Sequence, residues 1–232
     1  VHNNYLTVKK VEGNKLYLIS KGAGFTMDLR VFCEGQKVGI FKGRTQEKAG
    51  EYRIEKIVLD RENKTYIVET DRAVSGVEQG DTAENLSAQA KITIENCTFG
   101  NFRGTMRLQS RNTTIVKNCE FKNEATSMLF TGDTTYWYES SPVNDLTIEN
   151  CSFYNTAYGA RLAWNSGIEF TEKENYYHKN ITVKNCYFDA GVAAAFNHVD
   201  GFTFTGNRSD GEVKIDYRDS INVTIDKAEK NK

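Results

Sequence analysis

Four segments of this 232-residue chain repeat one pattern. They are Ile92 to Phe99 (ITIENCTF), Thr114 to Phe121 (TIVKNCEF), Leu146 to Phe153 (LTIENCSF) and Ile181 to Phe188 (ITVKNCYF). In each, an apolar residue stands three positions before a Cys, Asn immediately precedes that Cys, and Phe follows it by two. Weaker copies begin at Phe202 (FTFTGNRS) and Ile221 (INVTID). With Cys97, Cys119, Cys151, Cys186, Asn207 and Asp226 as reference positions, the spacings are 22, 32, 35, 21 and 19 residues. A repeat of this kind dictates architecture before any local propensity does. The basic unit is one turn of chain, and two units carry an extra loop.

Apolar residues alternating over five or six positions and closed by a polar turn describe short strands. A unit this short cannot bury its inner face alone. Stacked parallel units can, at about 4.8 Å per layer, and equivalent residues then form columns. The expected fold is all-β: a right-handed parallel β-helix with a small antiparallel β-barrel module. Asn96, Asn118, Asn150 and Asn185 are expected to form an amide ladder serving the backbone of buried turns, and Phe99, Phe121, Phe153 and Phe188 an internal stack. Four of the five cysteines share one column. They read as buried thiols rather than as a disulfide framework or a metal site, because their spacing is not that of zinc ligands. Asn-x-Ser/Thr sequons such as Asn96-Cys97-Thr98 fall on the same turns, where a glycan would not fit, which points to a bacterial source.

Residues 1–88 lack the repeat. They read as hairpin material: strands over Tyr5 to Val11, Lys15 to Ser20, Lys37 to Lys42, Glu51 to Asp60 and Lys64 to Thr70, with turns at Gly13-Asn14 and Glu62-Asn63. Tyr52, Ile54, Ile57 and Leu59 break strict alternation once, as a bulge would. The expected division is a barrel module over 1–88, either a separate module or an insertion between rungs, and β-helix rungs over 89–232. The chain opens at Val1 in mid-pattern, which reads as a piece of something longer.

Lys and Arg number 30 against 31 Asp and Glu, so the net charge of -1 offers nothing to a nucleic acid. No run approaches the roughly 20 apolar residues of a membrane span. A groove on one outer face is where a β-helix can place chemistry, and the inserted loops after Gly132 and Trp164 mark that face. Ten residues past each reference position stand Arg107, Leu129, Arg161 and Phe196. Arg107 and Arg161 are then two layers apart on an outward column, about 10 Å, against the alternative of solvated surface arginines. The loop from Gly132 to Pro142 sets Asp133 and Glu139 beside Tyr136, Trp137 and Tyr138. Ring faces for sugar CH groups and carboxylates for sugar hydroxyls suit a pyranose; the alternative is an aromatic loop packed on the barrel. Asn197, His198 and Asp200 would extend the groove at another strand end, against the alternative of a structural or surface histidine, while His178, beside the loop from Glu172 to Tyr177, reads as surface.

The segments VHNNYLTVKKVEGNKLYL, EGQKVGIFKGRT, EQGDTAENLS, ITIENCTFGNFRGTMRLQSRNTTIVKNCEF and MLFTGDTTYWYESSPVNDLTIENCSFYN together resemble glycoside hydrolase family 110, the bacterial α-1,3-galactosidases. The resemblance covers roughly residues 1 to 190, and its more specific parts are the Val1-His2 start and the stretch from Asp133 to Ser140. It implies a β-helix with a small barrel between rungs, and removal of terminal α-1,3-linked galactose with inversion and without a metal or other cofactor. It implies catalytic aspartates upstream of Val1, with Asp133, Trp137, Glu139, His2 and Arg107 contacting substrate; Arg161 joins them as a candidate from the outward arginine column alone. The implied partner is a galactose-terminated glycan and the implied location periplasmic or secreted. An open stack edge also allows a homo-oligomer. A non-catalytic glycan-binding or structural β-helix is the competing reading, and a polysaccharide lyase a weaker one.

Overall fold

A computed structural model describes residues 6–20, 31–43, 45–100, 106–108, 110–122, 126–133, 142–156, 158–165, 176–189 and 191–230. At Arg107, Leu129, Asp133 and Arg161 the description is of the backbone. Six strands come first: β1 (Leu6–Glu12), β2 (Lys15–Ile19), β3 (Lys37–Phe41), β4 (Lys48–Asp60), β5 (Thr65–Thr70) and β6 (Thr82–Asn85). They close into a barrel in the order β1-β2-β5-β4-β3-β6. Closure leaves no unpaired edge. Alternate residues Leu6 and Val8, Leu16 and Leu18, Val38 and Ile40, and Tyr66 and Val68 fill its interior. The long strand β4 serves both neighbours, and its pairing with β5 shifts between Ile54 and Lys56, where the apolar alternation breaks. Thr82–Asn85 is the strand that closes the barrel against β1 and β3.

The Asn85 side chain accepts hydrogen bonds from the Ser87 and Ala88 amides, which starts a short 3-10 turn at Leu86–Ala88 and hands the chain to the first rung. That rung is β7 (Ile92–Glu95), β8 (Thr98–Gly100) and β9 (Met106–Arg107). The second is β10 (Thr114–Lys117), β11 (Glu120–Lys122) and β12 (Thr126–Asp133). The third is β13 (Asn144–Glu149), β14 (Ser152–Tyr154) and β15 (Tyr158–Asn165), and the fourth β16 (His178–Lys184), β17 (Tyr187–Phe188) and β18 (Gly191–Asn197). The fifth is β19 (Val199–Thr205), β20 (Arg208–Ser209) and β21 (Val213–Arg218), and β22 (Ile221–Ile225) and β23 (Glu229–Lys230) begin a sixth. Equivalent strands pair in parallel, giving three sheets ordered β22-β19-β16-β13-β10-β7, β23-β20-β17-β14-β11-β8 and β21-β18-β15-β12-β9.

The Phe column is as expected. Phe99, Phe121, Phe153 and Phe188 stack with centroids 5.2, 5.0 and 4.7 Å apart and planes within 13° of parallel. One layer on, Ser209 takes the column and Phe204 leans in from the neighbouring sheet at 5.9 Å. Cys119, Cys151 and Cys186 are buried free thiols. Each sits 3.2 to 3.3 Å from the carbonyl two residues before it. Burial pushes the Cys119 and Cys186 thiols up from their ordinary range.

Four expectations are corrected. The asparagine ladder is exposed rather than buried, and its amides bond one another, Asn118 to Asn96 at 3.3 Å and Asn150 to Asn118 at 3.4 Å, instead of turn backbone. The residue type is set by the backbone: Asn96, Asn118, Asn150 and Asn185 have φ of 53 to 57°. Among non-glycine residues Asn tolerates that left-handed region best. In the next layer Gly206, at φ 61°, takes the position. Second, the column residue of the last rung is Ala228, not Asp226, since Glu229 N–H donates to Asn207 C=O just as Arg208 N–H does to Cys186 C=O. Third, Arg161 pairs with Ala195 rather than Phe196, because the turn between β17 and β18 is one residue shorter than in the preceding rung. Fourth, His178 is fully buried at the start of β16.

Removing one ring from the stack, Phe153→Ala, is expected to cost about 3–5 kcal/mol in denaturant unfolding. Asn150→Gly should cost less than about 1 kcal/mol, whereas Asn150→Val should cost about 1–2 kcal/mol, because only Val is penalised at positive φ. In thiol titration of the native protein, Cys33 should react, while Cys119, Cys151 and Cys186 should react only on unfolding.

Candidate functional site at the barrel and rung corner

Each rung runs from the third sheet round a corner into the first, and the strands that flank both insertions, β12 and β13 and then β15 and β16, end and begin at that corner. Strands β12 and β15 end side by side, with Gly132 paired to Trp164 and Asp133 to Asn165. Pro142 leads into β13 of one rung and Tyr176 into β16 of the next. The two segments are tied together: Val143 N–H donates to His178 Nδ1 at 3.1 Å, and Lys179 N–H to Val143 C=O at 3.1 Å. Tyr177 and His178 both donate their amides to His198 C=O, at 2.7 and 3.1 Å. Accepting an amide proton makes Nδ1 the unprotonated nitrogen of the His178 ring. This explains its burial, which depends on partners 20 and 35 residues away in sequence.

The barrel closes over the same corner. Arg111, just before β10, donates from Nε to Glu84 Oε2 at 2.6 Å and from a terminal nitrogen to Glu84 Oε1 at 3.0 Å. Its guanidinium lies 3.6 Å from the Phe41 ring centroid. Glu84 is fully buried and the Arg111 side chain only 17% exposed, so the pair is a desolvated, two-pronged clasp between β6 of the barrel and the second rung.

Between the two bodies is a cleft of about 540 Å³, within the range of small-ligand sites and at the kind of junction where they occur. The barrel contributes Phe41, Leu86 and the turn from Thr45 to Lys48. The rungs contribute Arg111, Pro142, Tyr176 and Tyr177, and a column of Asn144, Lys179 and Asp200. That column is in register, Asn144 paired with Lys179 and Lys179 with Asp200. Lys48 at the rim is held by Glu51 at 2.5 Å. Lys48 and Lys37 together hold the Glu51 carboxyl down at about 2. Asp200 accepts from the Asn222 amide at 2.7 Å. Among the described residues no group of three His, Cys, Asp or Glu could hold a metal, and no helix is long and apolar enough to cross a membrane.

Of the residues expected from sequence, Arg107, Leu129 and Arg161 occupy one backbone column, so the two arginine positions are two layers apart. This column alternates with the buried Met128 and Phe130. Asp133 ends β12 at the corner. His2, Trp137 and Glu139 lie outside the described residues. Asp200 lines the cleft, whereas Asn197 and His198, read together with it, are buried and not among its described lining residues. Sequence reasoning missed Asn144, Lys179, Tyr176 and the barrel turn at Gln46. The register of the repeat, carried back two residues before Leu146 and Ile181, could have found the first two.

The right-handed β-helix family model matches residues 57–226. The chain belongs to that family. The match begins inside the barrel, whereas rung geometry begins at Ile92. Among curated proteins, the chain is 33% identical over 144 residues to α-1,3-galactosidase B of Bacteroides thetaiotaomicron, covering 57% of this chain and 23% of that protein. It is 28% identical over 222 residues to α-1,3-galactosidase A of Streptomyces avermitilis, covering 89% and 35%. It is 30% identical over 197 residues to α-1,3-galactosidase A of Bacteroides fragilis, covering 77% and 32%. These relatives bear out the family resemblance read from the sequence. The chain spans about a quarter to a third of their length.

Truncating one half of the clasp strands a buried charge. Arg111→Ala is expected to destabilise the protein by about 3–5 kcal/mol, and the double variant Arg111→Met with Glu84→Leu to recover most of that loss. Calorimetric unfolding of both variants checks it.

Proposed function

We propose that this chain is the C-terminal part of an exo-acting glycoside hydrolase that removes terminal α-1,3-linked galactose from glycans. The observation that carries the reading is its similarity to α-1,3-galactosidases from three bacteria over 57 to 89% of its length. In this reading residues 1–88 are a barrel module set between rungs and residues 89–232 the rungs that follow it. Two carboxyl groups flanking the scissile bond, about 6.5–9.5 Å apart, would give inversion with one as acid and one as base and no metal. Aspartates preceding these residues in the full-length protein would fill those roles, as the family resemblance implies. Asp133 and Glu139 bind galactose hydroxyls, Trp137 stacks on the ring, and His2, Arg107 and Arg161 complete the pocket. A bacterial protein acting on external glycans in this way works in the periplasm or after secretion.

The test is galactose release by the full-length protein from a galactosyl-α-1,3-galactose disaccharide. Asp133→Asn and Glu139→Gln are each expected to lower kcat/KM by roughly 100-fold or more, about 2.7 kcal/mol of transition-state stabilisation. NMR should show β-galactose as the first product, and a chelator should leave the rate unchanged. Unchanged turnover in both variants would sink the site assignment, and glycan binding with no galactose released would favour the non-catalytic reading.

A further inference from the structure

Among the described residues, none assigned to the terminal galactose lines the corner cleft, and its chemistry is specific. Tyr176 is half-buried at its wall, a ring face of the kind that takes sugar CH groups. Asn144, Lys179 and Asp200 present an amide, an ammonium and a carboxylate on three successive layers, spanning about 10 Å, the reach of a disaccharide. On the opposite wall Gln46 is only 9% exposed. Its Nε2 donates to Lys42 C=O at 3.1 Å, but its Oε1 is buried with no hydrogen-bond partner among the described residues. Buried acceptors of that kind are rare, because a missing hydrogen bond costs the whole desolvation of the group. Gln46 also holds a left-handed φ of 57°, as few residues other than Gly, Asn and Asp do. The charges are balanced: Arg111 is satisfied by Glu84 and Lys48 by Glu51, leaving Lys179 against Glu47 and Asp200. A phosphate or polyanion would want a cationic surplus. A neutral molecule rich in hydroxyls would not.

We propose that this cleft is a carbohydrate subsite that takes the neutral sugar units next to the terminal galactose, with Tyr176 as the stacking ring and the Asn144–Lys179–Asp200 column as hydroxyl partners. The proposal rests on the galactosidase reading for which glycan it is. The barrel is then a specificity element, clasped in place by Arg111 and Glu84, that selects glycans by what lies behind the galactose.

The test uses the full-length protein and two probes, a tetrasaccharide ending in α-1,3-galactose and the trisaccharide that remains without that galactose. Titration calorimetry with the trisaccharide should give binding that Tyr176→Ala and the exposed Lys179→Ala each weaken at least tenfold, while Lys122→Ala, on a distant sheet, changes Kd less than twofold. Lys179→Ala leaves the core untouched and keeps the test valid if Tyr176→Ala unfolds. Trisaccharide binding that depends on both residues supports the subsite even if no galactose is released from the tetrasaccharide, in which case only the galactosidase reading fails. Galactose release accompanied by no trisaccharide binding, or by binding that neither variant weakens, overturns the subsite and leaves that reading standing.

Discussion

In-register stacking is the constraint on which the rest of this structure depends. Parallel strands about 4.8 Å apart place each residue directly over its equivalent in the next turn, so a side chain is chosen to suit its own column as much as its own strand. Aromatic rings at 4.7 to 5.2 Å, thiols against carbonyls and asparagines at positive φ all follow from this one spacing. Loops can be inserted at a corner without disturbing the columns, and rungs three and four show it by keeping register across both inserted loops.

A corner of this kind is also where separate pieces of chain can be brought together. The barrel has its own core and closes on itself, so its position over the rungs rests on a few cross-contacts, chief among them the buried Arg111–Glu84 pair. A buried ion pair is a poor source of stability against an apolar replacement, yet it fixes geometry, since neither charge tolerates a shift that leaves it unpaired. That suits a junction which must hold two walls of a cleft at a constant separation. The mixed lining of the cleft then favours neutral polyhydroxyl ligands, in keeping with α-1,3-galactosidases as the relatives of this chain.

Much of the fold was legible because the repeated residues are nearly identical: Phe at one position and Cys at another can hardly be misread over four rungs. Where the residue type varies, the columns disappear from view. A second left-handed column at the start of the first sheet, Asp145, Asn180, Gly201 and Asn222 at φ of 53 to 84°, has an Asn180 to Asp145 bond of 2.9 Å, yet mixes three residue types and gives no visible pattern. A turn one residue shorter moved Ala195 into the column that counting alone assigned to Phe196, and Ile221 pairs with Asp200 rather than with Phe202, which sets the last column residue at Ala228 instead of Asp226. His178 looked like surface because its partners, Val143 and His198, belong to other rungs. The cleft was invisible for the same reason, its walls coming from residues 41–48, Leu86 and residues 111–200. The side chains proposed for galactose were legible only as types that suit a sugar.

The most direct measurement is a crystal structure of the full-length protein with an α-1,3-galactosyl tetrasaccharide bound to a slow variant such as Glu139→Gln. The account predicts sugar density at the barrel and rung corner, with the units behind the galactose against Tyr176 and along Asn144, Lys179 and Asp200. Density on the outer face of the second sheet, or at any place that leaves this corner empty, would contradict it.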